Sequence, residues 1–127
     1  MFKAIVMIKR KPGISHEEFV KYYEEFHSVL GASKVPNLKK YIRHHIEPYG
    51  DGTYTLETEA PYDVITEIWF DDEEDFKQGM AYLSEPAAAA EIAEDELKFM
   101  DRGSIRFYTM KNFETDLTTG KSIGQVD

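Results

Sequence analysis

No cysteine occurs in the 127 residues. Disulfide staples, thiol nucleophiles and cysteine metal ligands are excluded, and the redox compartment is left open. Basic charge is also scarce, with 15 Lys and Arg against 24 Asp and Glu, a net charge of −9. A phosphate backbone or an anionic membrane surface calls for a cationic stripe, so neither nucleic acid nor membrane is an expected partner. Long apolar runs are missing too. The opening FKAIVMIK is too short to span a bilayer and runs straight into KRKPG, which points to a soluble, cytoplasmic chain. Gly50-Asp51-Gly52 lacks the pattern of a nucleotide loop, and no Gly-x-Ser-x-Gly elbow appears. There is no HxxxH spacing, and the neighbours His44 and His45 would point to opposite faces of a strand. Neither a metal nor a cofactor is expected.

What remains is a globular composition. Hydrophobic residues make up 42% of the chain and aromatics 13%, enough for one domain around one core. The clearest element is a helix over Ser15 to Leu30, SHEEFVKYYEEFHSVL. Ser15 suits the N-cap, Glu18 completes a capping box, and Ile14 and Phe19 have the spacing of a hydrophobic staple. Gly31 is placed to stop the helix. Phe19, Tyr22, Tyr23, Phe26 and Leu30 fall on one apolar face. His27 lies at its edge, where a side chain can reach past a core into a cleft.

Phe2 to Lys9 reads as a strand, stopped by Lys11-Pro12-Gly13. Leu38 to Ile46 is a second and Tyr62 to Phe70 a third. Between them, 47–61 is a long polar loop. The acids Asp71 to Asp75 open a second helical region, offsetting the positive end of its dipole. Pro86 restarts or kinks that helix, which runs on to Phe99 and ends at Gly103. Ser104 to Met110 is a fourth strand. Residues 1–111 thus form one domain, and 112–127 a polar tail, readable as an arm, an edge strand or a disordered end. The order β-α-β-β-α-β predicts an α+β, ferredoxin-like unit, a four-stranded antiparallel sheet with helices on one face. The first and third strands are apolar on both faces. A second copy covering the open face, hence a homodimer, is the economical expectation.

One parity applied to all strands puts Met7, Tyr41, Arg43, His45, Asp63, Glu67, Trp69, Arg106 and Tyr108 on the face away from the helices. Aromatics mixed with ionisable groups on enclosed surface have the character of a small-molecule pocket. Glu67 beside Trp69 is expected to have a raised pKa suited to acid–base work, unless it pairs with Arg43 or Arg106. His27 is read either as a proton-transfer group or as a satisfied helix histidine.

These residues resemble the EthD-like family of dimeric α+β barrel proteins. The resemblance rests on KRKPGISHEEFVKYYEEFH, YIRHHI, YDVITEIWFDD and DELKFMD, in order over roughly residues 3 to 108. It implies a ferredoxin-like protomer, a dimer with facing sheets, and a small, often aromatic or lactone-like ligand in the cavity. It matches His27 to a helix histidine, Tyr41 to a pocket tyrosine, and Asp63, Glu67 and Trp69 to a third-strand motif. Relatives include cofactor-free muconolactone methylisomerases, whose catalytic cysteine this chain lacks, and tailoring enzymes of aromatic polyketide pathways.

The leading expectation is a cofactor-independent enzyme acting by proton transfer on a hydrophobic, oxygenated compound. His27 is its proton-transfer group, with Glu67 and Tyr41 as catalytic partners. Tyr23, Arg43, His45, Asp63, Trp69, Asp101 and Tyr108 line the pocket. The alternatives are a non-catalytic ligand-binding or accessory protein, and a haem-binding barrel with His27 or His45 as axial ligand.

Overall fold

The first strand, β1 (Phe2–Arg10), alternates as a half-buried strand must: Ala4 and Ile8 are buried on one face, while Ile5 and Met7 point the other way. These features come from a computed structural model that describes residues 1–49 and 59–127. The expected Gly50-Asp51-Gly52 turn and most of the 47–61 loop lie outside the described residues.

Helix α1 (His16–Tyr22) starts where the capping signal places it. Ser15 Oγ accepts from the Glu18 backbone N–H at 3.0 Å, and Ile14 packs on the cluster that buries Phe19. The helix does not stop at Gly31. It widens into a π turn at Tyr23–His27 and continues as α2 (Ser28–Lys34). It ends where Val35 turns extended ahead of Pro36, and Asn37 takes a positive φ of 66°. A π turn rotates less per residue than an α turn. Phe26 is therefore carried outward, 56% exposed, while His27 and Ser28 come in. This corrects the apolar stripe expected from α spacing.

Strands β2 (Lys40–His45) and β3 (Val64–Phe70) follow. Asp72 caps α3 (Glu73–Leu83) by accepting from the Asp75 N–H at 2.8 Å. Pro86 occupies the first turn of α4 (Pro86–Glu96), so the second helical region is two helices broken at Ser84-Glu85. Strand β4 (Met100–Thr109) begins before Gly103, which lies within it rather than ending a helix. The sheet order is β2-β3-β1-β4, with every pairing antiparallel. This is the expected ferredoxin-like α+β fold. The tail forms a separate hairpin, β5 (Asn112–Asp116) and β6 (Lys121–Val126), paired among the described residues only to itself.

The core lies between sheet and helices. Phe19, Phe70 and Phe99 are at most 1% exposed, and burying each such side chain contributes about 1.5–3 kcal/mol. Among the described residues no helix is long and apolar enough to cross a membrane.

Cross-strand register sets the faces. Tyr41 pairs with Ile68, Arg43 with Thr66 and His45 with Val64. Directly opposed residues share a face, and Ile68, Thr66 and Val64 are buried toward the helices. Tyr41, Arg43 and His45 are therefore on the helix side, not the open side. The open face carries Lys40, Ile42 and His44 from β2, beside Trp69, Glu67 and Ile65 of β3. A one-residue difference in strand parity inverts every side chain, and nothing in YIRHHI alone fixes it.

Candidate functional site

A cavity of about 130 Å³ lies between the sheet and the helices. Its apolar wall includes Val6 and Ile8 of β1, Ile68 of β3, Met80 and Leu83 of α3, and Ile92 of α4. Its polar groups are Tyr23, His27, Tyr41, Thr66 and Glu96. An apolar wall with a few converging polar groups is the usual form of a small-molecule site. The candidate site is therefore inside a single chain, under the helices, rather than against the open sheet.

The π turn presents both Tyr23 and His27 to this space, 2% and 5% exposed. Nδ1 of His27 lies 2.8 Å from Oδ2 of Asp95 on α4. Next to a carboxylate that nitrogen carries the proton and donates, which leaves Nε2 as the acceptor. Among the described residues Nε2 has no hydrogen-bond partner, and it is not sealed from contact. The other Asp95 oxygen accepts from the Tyr22 hydroxyl at 2.6 Å. Burial pushes the Asp95 carboxyl up, but the hydrogen bonds from Tyr22 and His27 outweigh it and hold it below the usual value. The Tyr22 hydroxyl, desolvated and facing that carboxylate, is pushed up to about 12. Asp95 is thus an anion that holds the imidazole in one tautomer.

The cavity is also lined by three hydroxyl-bearing side chains. Tyr23 and Thr66 share a hydrogen bond of 2.8 Å, and Tyr41 donates weakly to Tyr23 at 3.4 Å. Burial pushes both tyrosines up, so each is a neutral hydroxyl. Gly31 leaves room for Tyr41, since a Cβ there would stand 3.1 Å from the Tyr41 hydroxyl. Behind the two rings, the Arg43 guanidinium stacks 4.7 Å from the Tyr41 centroid. It donates to both Glu24 oxygens at 2.8 and 2.9 Å. His45 Nε2 also lies 2.8 Å from Glu24, and its ring packs edge-on against Phe19 and Tyr23. The Arg43 hydrogen bonds, with His45 assisting against burial, lower the Glu24 carboxyl to about 2.

The expected site residues separate into groups. His27, Tyr41 and Tyr23 line the cavity together, with His27 aimed into the helix–sheet space rather than toward a sheet rim. Arg43 and His45 back it from the β2 edge. Glu67 does not join them. It lies on the open face, hydrogen-bonded with His44 and accepting from Trp69 Nε1 at 3.2 Å. The His44 bond lowers its carboxyl, the reverse of the expected rise, and neither Arg43 nor Arg106 is its partner. Trp69 is flanked on the same face by Lys3 and Lys40, 4.1 and 4.5 Å from its ring. Tyr108 pairs with Ile5 there, 48% exposed.

Asp63 is buried, but as a structural clamp. It accepts from the Arg10 backbone at 2.8 Å and side chain at 2.9 Å, and His16 lies 2.9 Å away. Asp101 accepts from the Gly103 N–H at 3.1 Å, a turn contact at the surface. Asp95, Thr66, Gly31 and Glu96 were not foreseen. The available signal for Asp95 was its spacing, an acid in line with Ala88 and Ile92 on the apolar side of an Ala-rich helix. Among the described residues no cluster of His, Asp and Glu has the arrangement of a metal site.

Three solved structures resemble the fold over most of the chain. One is an ethyl tert-butyl ether d (ethd) family protein from Bacillus halodurans. It is 19% identical with a TM-score of 0.59, and the match covers 88% of this chain and 99% of that one. HapK from Hahella chejuensis is 13% identical, TM-score 0.58, over 91% of this chain and 96% of its own. At3g17210 from Arabidopsis thaliana is 17% identical, TM-score 0.56, over 92% and 100%. At such identities the likeness concerns the fold. No curated protein matches the chain. The sequence profile of the EthD domain matches residues 11–103, which take in the Ser15 cap, the π turn, Tyr41, Thr66 and Asp95. The chain belongs to the EthD domain family.

Proposed function

We propose that the protein is a cofactor-independent enzyme that moves a proton on a small hydrophobic, oxygenated molecule held between sheet and helices. The observation that carries this is the buried His27, whose Nδ1 is engaged by Asp95 while its Nε2 is left for the cavity. In this arrangement His27 is the acid–base group and Asp95 the positioning residue behind it. The neutral hydroxyls of Tyr41 and Tyr23 hold a ligand oxygen. The chemistry is of the isomerase, dehydratase or decarboxylase type. Glu67 has no part in it, since it faces the other side of the sheet.

A screen of small oxygenated metabolites that follows turnover tests the reading. Conversion that disappears in His27→Ala, with the fold retained, is the expected result. Thermal stabilisation by ligands with no conversion of any of them would favour the second reading, a non-catalytic binding or accessory protein. That reading draws on the same apolar cavity. Haem fits less well, because the cavity has the volume of one ring and His45 already commits Nε2 to Glu24.

The same proposal includes a homodimer through the open face, where Ile5, Met7, Ile42, Ile65 and Trp69 lie side by side only partly buried. Light scattering at micromolar concentration that returned a monomer would remove it.

A further inference from the structure

We infer that the cavity takes an uncharged molecule about the size of one six-membered ring, bearing a carbonyl oxygen, and rejects carboxylates of the same shape. The inference deepens the proton-transfer reading and rests on it only for the reacting atoms.

Size comes first. An apolar cavity of about 150 Å³ is known to hold benzene. The cavity here is close to that, about 130 Å³, and its wall of Val6, Ile8, Ile68 and Ile92 has no polar atom to wet it.

Charge decides the rest. Among the described residues none that lines the cavity is Lys or Arg. The charged side chain that does line it is Glu96, whose Oε1 accepts from Arg102 at 3.2 Å. A second carboxylate, Asp95, stands directly behind His27. Were His27 protonated, Asp95 would already balance it. The cations near the cavity are already engaged: Arg102 is on Glu96, Lys98 lies 3.7 Å from Asp95, and Arg43 sits behind the Tyr41 and Tyr23 rings with both Glu24 oxygens on it. A carboxylate ligand would thus lose its water, find no free cation, and face two acids. Burying an ion without a partner is strongly unfavourable.

A carbonyl meets the opposite situation. It brings an acceptor and no charge, and the hydroxyl of Tyr41 is a donor held only by a weak 3.4 Å contact. Nε2 of His27 can then take a proton from the carbon beside that carbonyl. The C–H electron pair becomes the carbon–carbon π bond, and the carbonyl π pair moves onto oxygen, where Tyr41 donates to it. Where a carbon–carbon double bond adjoins that carbon, returning the proton to the far end of that bond re-forms the carbonyl, shifts the double bond and gives an isomer. Returning a deuteron to the same carbon gives exchange.

Two matched pairs of probes test this near neutral pH: cyclohexanone against cyclohexanecarboxylate, and benzaldehyde against benzoate. Titration calorimetry should show the neutral member of each pair binding and the anion binding at least roughly tenfold more weakly. Cross-relaxation between the bound ketone and the methyl groups of Met80 and Met100 should place it in the cavity. Equal binding of the anions, or binding of neither member, overturns the inference, as does a ketone bound away from those methyls. The α-protons of cyclohexanone are followed separately in D2O. A ketone that binds with the stated selectivity but does not exchange overturns the proton-transfer reading alone. Exchange without charge selectivity overturns the inference alone.

Discussion

The two faces of the sheet carry the same kinds of residue and do different things with them. On the helix side, Tyr41, Arg43 and His45 of β2 stand beside Ile68, Thr66 and Val64 of β3. On the open side, Lys40, Ile42 and His44 stand beside Trp69, Glu67 and Ile65. Each row mixes aromatics, aliphatics and ionisable groups. What differs is the cover. Under the helices, burial pushes the Tyr22, Tyr23 and Tyr41 hydroxyls up. On the open face a neighbour dominates, and His44 pulls the Glu67 carboxyl down. A group kept neutral by burial can donate to a reacting oxygen. A carboxylate whose pKa a surface partner lowers is a weaker base and carries no proton to donate near neutral pH. Composition of a face does not mark a site; the layer above it does.

Substitutions can break this contrast. The largest effect is expected from His27→Ala, which should remain folded and lose on the order of 10²-fold or more in turnover of an identified substrate. Full activity in that variant would separate the cavity from the chemistry. Asp95→Asn comes next. It keeps the shape but loses the anion that fixes the imidazole, so turnover should fall on the order of tenfold or more while ligand affinity changes little. Steady-state kinetics that showed only a raised KM would contradict a positioning role. Gly31→Ala should follow. Its Cβ would meet the Tyr41 hydroxyl at 3.1 Å, and relieving that contact should cost about 1–3 kcal/mol of ligand affinity or stability. Titration calorimetry alongside thermal melts would divide the effect between the two.

A smaller effect concerns acid. The Glu24 carboxyl titrates at about 2 in the folded chain, against an ordinary 4.5. The folded pKa is the lower one, so the unfolded chain takes up its proton first as pH falls. The stability this group supplies is complete above about 4.5 and lost as pH falls toward about 2. Glu24 is partly exposed, and water screens the gain. Urea unfolding of Glu24→Gln should therefore show a shallower loss of stability across that acid range than the parent does. A parallel loss would mean the Arg43 pair contributes nothing. The smallest effect is expected from Glu67→Gln. Turnover should be unchanged and protomer stability should move within about 0.5 kcal/mol, with any larger change appearing only in dimer affinity. Loss of turnover there would return the site to the open face.

The fold was legible because three signals agreed: the Ser15 cap, the alternation in VITEIWF, and the β-α-β-β-α-β order. The family motifs also led to His27 and Tyr41. The failures have one physical root. A strand motif such as YIRHHI shows which residues share a face, but the face that meets the helices is set by register against β3. Helix packing, likewise long-range, brings Asp95 of α4 to His27, 68 positions away in the chain. Glu67 looked catalytic because Trp69 is near it in sequence, yet its partner His44 comes from another strand.

The π turn has a consequence for length. It amounts to one surplus residue stored in a helix, between Tyr23 and His27. Closing that turn into uninterrupted α-helix with every residue kept would make the bonding along α1 and α2 more regular. That regular helix would also turn everything from Ser28 to Lys34 by about 100° about its axis. Gly31 would leave the Tyr41 hydroxyl, and a bulkier neighbour would take its place. At this one position regularity and registration oppose each other, and the chain keeps the irregular helix that leaves room for the hydroxyl.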